Sequence, residues 1–200
     1  MIRSIHYDAC EKHGTQSNSL SLVRYRLNDY SVPVAYAHRD VLVRGYVHEV
    51  VISCGAETIA RHERSYDRGE MIFDPLHYLA LLEKKIAAFD QAAPLSGWQL
   101  PEAFDRLRRL LERRMGKQGK REYIQVLRLL ESFGLDDVHA AVKQALDLGA
   151  IAYDAVKHLV LCRIERRPPR LDLDVYPYLP KADVGTTSAK AYMSLLGATA

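Results

Sequence analysis

The sequence predicts an α+β fold: a small five-stranded antiparallel β-barrel, then an antiparallel helical bundle, then an extended proline-rich tail. Three observations predict it. Residues Tyr30–Tyr66 alternate β-branched side chains around Gly45 and Gly55. Asp74-Pro75 opens a half of the chain in which apolar residues recur at helical spacing. Residues Arg167–Val184 then mix four prolines with Leu171, Leu173, Val175, Tyr176, Tyr178 and Leu179 in an order that suits no regular element.

Residues 1–18 are polar and read as an arm or linker. The barrel is expected over 19–70. A first strand follows from Leu20, Leu22, Val23 and Tyr25, and a second from Val32, Val34 and Tyr36, where Pro33 donates no ladder hydrogen bond and so belongs at an edge. In the third, Val41, Val43, Gly45 and Val47 share one face and Leu42, Arg44, Tyr46 and His48 the other, with Gly45 permitting a bend. Val50–Ile52 and Glu57–Glu63 make the last two strands, joined by a hairpin at Gly55.

A helical domain is expected over 71–166. Asp74 caps a first helix to about Ala88, because its carboxylate accepts an orphan N–H while Pro75 supplies the first helical dihedral. Pro101 opens a second helix on Phe104, Leu107, Leu110 and Leu111, ended by Gly116 and Gly119. Tyr123, Val126, Leu127 and Leu130 mark a third, ended by Gly134. Val138, Val142 and Leu146 mark a fourth between Asp136 and Gly149, and Val156, Leu159, Val160 and Ile164 a fifth, stopped by Pro168-Pro169. Residues 167–200 form the tail, with a short helix expected over Thr186–Leu196. So apolar an extended segment is expected to lie in a groove of its own protein, of another copy or of a partner.

The 200 residues hold 28 basic and 25 acidic side chains, a net charge of +3, so any anionic partner must be met by local patches. Basic and acidic residues number 9 and 9 over 1–70 but 9 and 5 over 101–134. Cys10, Cys54 and Cys162 suit a reducing compartment, and a cytoplasmic location is expected. No apolar run approaches a membrane span, and no membrane partner is expected.

Two groups of side chains are candidates for phosphate contact. On the barrel, Arg24 and Arg26 are expected to share one strand face, Arg44 lies with Tyr46 on another, and Arg61 and Arg64 decorate the last strand. A solvated face balanced by Asp29, Asp40, Glu49 and Glu63 is the competing reading. In the helical half, Arg109, Arg113 and Arg114 oppose the leucines, and Lys117, Lys120 and Arg121 continue into what reads as a mobile loop between Gly116 and Gly119. An amphipathic helix with an arginine-rich outer face would look the same. His6, Cys10 and His13, or His158 with Cys162, have spacings a metal could use, but neither supplies four ligands, and no metal or cofactor is expected.

From about Tyr7 onward the chain resembles the C-terminal part of an IstA-type transposase. The stretches that carry the resemblance are SLSLVRYRLNDYSVPVAYAHRDVLVRGYVHEVVISCGAETIARHERSY, FDPLHYLALLEKK, HAAVKQALDLGAIAYDAVKHLVLCRIERRPPRLDLDVYPYLP and AYMSLL. The resemblance implies a Mu-transposase-like C-terminal β-barrel followed by a helical region. It also implies double-stranded DNA, other transposase protomers and an IstB-type helper ATPase as partners. The family's DNA cleavage uses carboxylates holding two divalent ions about 4 Å apart, and no position here matches that motif. Met1–Ile5 depart from the family pattern, and the cleaving core is expected to be absent or encoded on another reading frame. The expected role is to bind DNA at a transposon end or flank and to mediate assembly. The alternative is a protein-interaction module without DNA contact.

Overall fold

In a computed structural model the described residues are 8–165, and they form one unit. Seven strands precede five helices: β1 Glu11–Gln16, β2 Leu22–Tyr25, β3 Asn28–Ser31, β4 Asp40–Gly45, β5 Glu49–Cys54, β6 Glu57–Glu63 and β7 Met71–Ile72. They make two sheets. One has the order β1-β4-β5-β6, antiparallel throughout; in the other, β2-β3-β7, the β3/β7 pair is parallel. Val23, Tyr25, Tyr30 and Val32 pack with Val41, Val43, Val50, Ile52 and Ala60 in the core shared by the two sheets.

The expected five-stranded barrel is therefore replaced by two sheets that do not close. At the corner between β1 and β2 the backbone takes its bonds from side chains: Asn18 Oδ1 accepts the N–H groups of Leu20 and Leu22 at 2.9 and 3.0 Å, and Ser17 Oγ donates to the Tyr36 carbonyl. Strand β1 lies inside the expected arm and runs along the sheet edge, where its mostly exposed face needs no apolar alternation. The expected strand over Val32–Tyr36 is a 3-10 turn at Val34–Tyr36, because Pro33 ends the ladder and its carbonyl accepts the Tyr36 N–H at 2.8 Å. The hairpin at Gly55 forms as read, with Cys54 opposite Glu57 and φ +60° at Gly55. Gly45 has a different reason from the bend expected: the ring of Tyr25 lies where a Cβ would stand, 1.9 Å from its hydroxyl.

The helices are α1 Leu76–Lys84, α2 Glu102–Met115, α3 Lys117–Arg128, α4 Leu135–Leu148 and α5 Tyr153–Ile164. Asp74 Oδ1 accepts the Leu76 N–H at 3.0 Å, the cap that the sequence indicates. After Lys84 the chain tightens into 3-10 turns over Ile86–Gln91 and Ala93–Leu95. Leu79, Phe104, Leu107, Leu111, Ile124, Leu127, Val138, Val142, Val156 and Val160 form the helical core. Gly149, with φ +69°, ends α4 in the left-handed conformation. The mobile loop expected between Gly116 and Gly119 is absent: Gly116 alone joins α2 to α3, and Gly119 lies inside α3 against the Leu111 backbone. The proline-rich tail and its short helix lie outside the described residues.

Ser31 ties the sheets to the helices. Its hydroxyl accepts the Asp74 N–H at 2.8 Å and donates to His77 Nδ1 at 2.9 Å, while its carbonyl accepts from His62 Nε2 at 2.6 Å. The two imidazoles meet edge to face with centroids 5.7 Å apart. Burial pushes His62 below its ordinary pKa, and it pushes His77 down to about 4 even though Asp74 lies 3.6 Å away.

Two predictions follow from these contacts. A methyl group at Gly119 would stand 2.1 Å from the Leu111 carbonyl oxygen, whereas one at Gly14 meets nothing within 4 Å. Gly119→Ala should therefore lower the unfolding free energy in urea by about 2–3 kcal/mol or more, and Gly14→Ala should leave it within about 0.5 kcal/mol; equal effects would contradict the packing. Both histidines are held neutral in the fold and bind protons more readily when unfolded, so their contribution is complete above about pH 6.5 and fades as pH falls toward the folded value of His77. Denaturant titrations from pH 7.5 to 4.5 should show this loss, on the order of 3 kcal/mol for His77 when protonation is complete, and His77→Gln should flatten the dependence.

Candidate nucleic-acid interface

The register of the four-stranded sheet sets one row of cations. Lys12 on β1 lies opposite Arg44 on β4, Arg44 opposite Val51 on β5, and Val51 opposite Arg61 on β6. Residues in one cross-strand row point to one side, away from the row Glu11, Gly45, Val50 and His62 that includes core residues. Arg44 and Arg61 are thus brought together, and Lys12 joins them as a member that sequence reasoning missed because β1 was not recognised. The row is partly engaged. Arg44 Nη2 donates to Ser53 Oγ at 3.1 Å, Arg61 pairs with Glu49 at 3.3 Å, and Lys12 stands 3.9 Å from Asp8.

The other sheet candidates do not form a common face. Arg24 pairs across the ladder with Asp29 at 2.7 Å, whereas Arg26 has left the strand for the β2–β3 turn, where its φ is +56°. Arg26 Nη2 and Nε donate to Glu11 Oε2 at 2.7 and 3.1 Å, and Tyr25 donates its hydroxyl to the same oxygen at 2.8 Å. These bonds hold the Glu11 carboxyl below the usual carboxylate range, Arg26 first and Tyr25 second. Tyr46 donates to Asp8 Oδ1 at 2.8 Å, which lowers Asp8 and raises the phenol. Arg64 donates to the Tyr46 carbonyl at 2.7 Å and lies over the rings of Tyr66 and Tyr25, 4.7 and 5.5 Å from their centroids. It makes no salt bridge among the described residues.

The helical group gathers at the α2–α3 corner. Phe104, Leu107 and Leu111 turn inward, leaving Arg109, Arg113 and Arg114 exposed on α2 and Lys117 and Arg121 exposed on α3. Arg109, Arg113, Lys117 and Arg121 make no salt bridge among the described residues; Arg114 reaches only the Gly149 carbonyl, at 3.5 Å. Lys120 is different. It bonds to Asp90, as does Arg108, and Lys120 foremost holds the Asp90 carboxyl below its usual range. Arg108 also packs 5.0 Å from the Phe89 centroid and bonds to Glu112, so it braces the fold. The first turn of α3 holds no acid, so its cations add to the partial positive charge of the helix N-terminus.

No hydrogen bond or ion pair among the described residues joins the sheet candidates to those of the α2–α3 corner. Among those residues no group of three or more His, Cys, Asp or Glu side chains is placed to hold a metal ion, and no helix is long and apolar enough to cross a membrane.

Residues 2–74 match the family described as Mu transposase, C-terminal domain, a segment that takes in all seven strands. The match begins at residue 2, so the opening residues, expected to depart from the family pattern, lie within it. The chain is 32% identical over 169 residues to the transposase for insertion sequences IS1326/IS1353 of Pseudomonas aeruginosa, and equally to that of Shigella flexneri, covering 82% of this chain and 32% of each relative. A transposase of Aminobacter aminovorans is 31% identical over 174 residues, covering 83% of this chain and 34% of the relative. No solved structure matches the chain significantly. The chain spans about a third of the length of these curated relatives. Over most of its length the chain is similar to about a third of the length of these insertion-sequence transposases, and over its strands to the family described as Mu transposase, C-terminal domain.

Proposed function

We propose that this segment serves an IstA-type transposase as a non-cleaving DNA-binding and assembly module, contacting double-stranded DNA at a transposon end or flank. The observation that carries the reading is the α2–α3 corner, where Arg109, Arg113, Lys117 and Arg121 are exposed, unpaired among the described residues, and mounted on two rigid helices. Cations fixed on a rigid frame release counterions from the DNA backbone and give affinity with little sequence preference. The row Lys12, Arg44 and Arg61 offers a second, weaker phosphate surface because acids and Ser53 already engage it. Phosphodiester chemistry is assigned to no residue of the segment, and any divalent metal belongs with a catalytic core.

A second reading is docking of other protomers or of an IstB-type helper ATPase without DNA contact. It is favoured by an apolar cleft of about 390 Å³ between sheet and α1, lined by Leu20, Leu22, Val34, Met71, Phe73 and Tyr78, with Leu20 and Met71 exposed at its rim.

Fluorescence anisotropy on duplex DNA at several salt concentrations tests the first reading. Binding at about 50 mM salt should weaken steeply as salt rises, and each of Arg109, Arg113, Lys117 and Arg121 changed to Ala should reduce the slope of log K against log salt by close to one unit per lost phosphate contact. No binding at low salt, or an unchanged slope in the fourfold variant, would reject it. Removing Arg167–Ala200 separates the two readings: loss of self-association or helper capture with DNA affinity retained assigns docking to that stretch.

A further inference from the structure

Three connections meet at one end of the two sheets. The β2–β3 turn holds Arg26 and Leu27, the β4–β5 turn holds Tyr46, Val47 and His48, and the stretch after β6 runs from Arg64 to Gly69. Hydrogen bonds tie them together: Gly69 N–H to the Leu27 carbonyl at 3.0 Å, Arg64 N–H to the His48 carbonyl at 2.9 Å, and the Tyr66 hydroxyl to the Val47 carbonyl at 2.8 Å. Large apolar side chains nevertheless face water here, with Leu27 48%, Val47 64% and Tyr66 69% exposed. A cleft of about 360 Å³ opens beside them, lined among others by Tyr25, Tyr30, Arg64 and Arg68.

Tyr66 is held in place although it is exposed. Its hydroxyl is bonded and the Arg64 guanidinium lies over its ring, so orienting that ring at a ligand costs little side-chain entropy. With a cation on one side, the ring offers its other face to a flat partner. Arg26 is kept in a left-handed conformation unusual for a residue with a side chain, and its bonds to Glu11 maintain it there.

We propose that Tyr66, backed by Arg64, is a stacking platform for an unpaired base of bound DNA, with Arg68 placed to meet the adjoining phosphate; this rests on the DNA-binding reading above. Every base has a π-face, but in an intact duplex neighbouring pairs cover it, so the platform selects a strand that is bulged, frayed or single. Glu11 offsets Arg26 and Asp67 lines the cleft beside Arg68, so net charge here is small. Attraction comes chiefly from stacking, and the preference for an unpaired base is insensitive to salt, in contrast to binding at the α2–α3 corner.

The test compares one fully paired duplex with the same duplex carrying a single extrahelical 2-aminopurine. Wild-type chain should bind the bulged duplex about tenfold more tightly and quench the 2-aminopurine emission. Tyr66→Ala should remove the preference and the quenching while paired-duplex affinity stays unchanged, and Tyr66→Phe, which keeps the ring but loses the bond to the Val47 carbonyl, should keep the quenching with a reduced preference. Paired binding without any preference in the wild type, or a preference that survives Tyr66→Ala, overturns the platform and leaves the DNA-binding reading standing. Failure to bind either duplex overturns that reading and the platform with it. Loss of self-association in Tyr66→Ala with the preference intact assigns the surface to a protein contact and also overturns the proposal.

Discussion

Ser31 is the constraint on which the arrangement of sheets and helices depends. One fully buried residue accepts the N–H of Asp74, the cap of α1, donates to His77 on that helix, and receives His62 from β6 at its carbonyl. With Nδ1 of His77 unprotonated the Ser31 hydroxyl has an acceptor for its one proton, whereas a proton on Nδ1 would turn that contact round and leave the hydroxyl hydrogen without this partner. Burial lowers both imidazole pKa values in the same direction. Tyr78 adds a second tie by donating to the Leu20 carbonyl at 3.0 Å. The sheet frame and helical frame thus share polar contacts that are largely buried, and these give the cationic groups on each a fixed backbone to stand on.

The arginines divide by what already holds them. Arg24, Arg26, Arg61 and Arg108 each have a carboxylate, and Arg64 has a carbonyl and two rings, so much of the directional hydrogen-bonding capacity of these residues is engaged within the fold. Arg109, Arg113, Lys117 and Arg121 remain exposed and make no salt bridge among the described residues. An engaged arginine can still contribute to a long-range potential, but a new phosphate must compete for its donors. A free one binds without that exchange, which is why the helical corner carries the functional reading and the more conspicuous strand arginines do not.

Local periodicity made most of this fold legible. The apolar spacing of α2 and α4, the Asp74 cap, Pro101 and Gly149 located helices, and alternation around Val41, Val43, Val50 and Ile52 located the centre of the large sheet. What escaped was set by partners distant in sequence. Strand β1 is polar because it is an edge, β7 is two residues in parallel pairing with β3, and the β2–β3 turn uses Arg26 where glycine would have announced it. Gly119 reads as a helix stop, yet close approach of α3 to α2 requires it. The site shows the same division: exposure of Arg109 and Arg113 followed from helical spacing, but Lys120 is tied to Asp90 thirty residues away and Arg26 to Glu11 fifteen residues away.

The α2–α3 corner also explains how a chain of nearly balanced charge can present a strong local field. Gly116 turns the chain with a single residue at φ +55°, and the contact of Gly119 with Leu111 brings the two helices together, so the end of one and the start of the next share a small volume. Arg113 and Arg114 at the C-terminus of α2 are favoured by its carbonyl dipoles. Lys117, the first residue of α3, is disfavoured by its N–H dipoles, at a cost of about 0.3–1 kcal/mol at low salt. The first turn of α3 carries no acid of its own, and only Lys120 there is offset, by Asp90. A corner whose cations are only partly offset, by Asp90 at Lys120, gains more from an arriving phosphate than a neutralised one, since the anion satisfies the side chains and the helix terminus together. In the proposed complex the affinity therefore originates less in the number of cations than in the tight turn that prevents them from spreading apart.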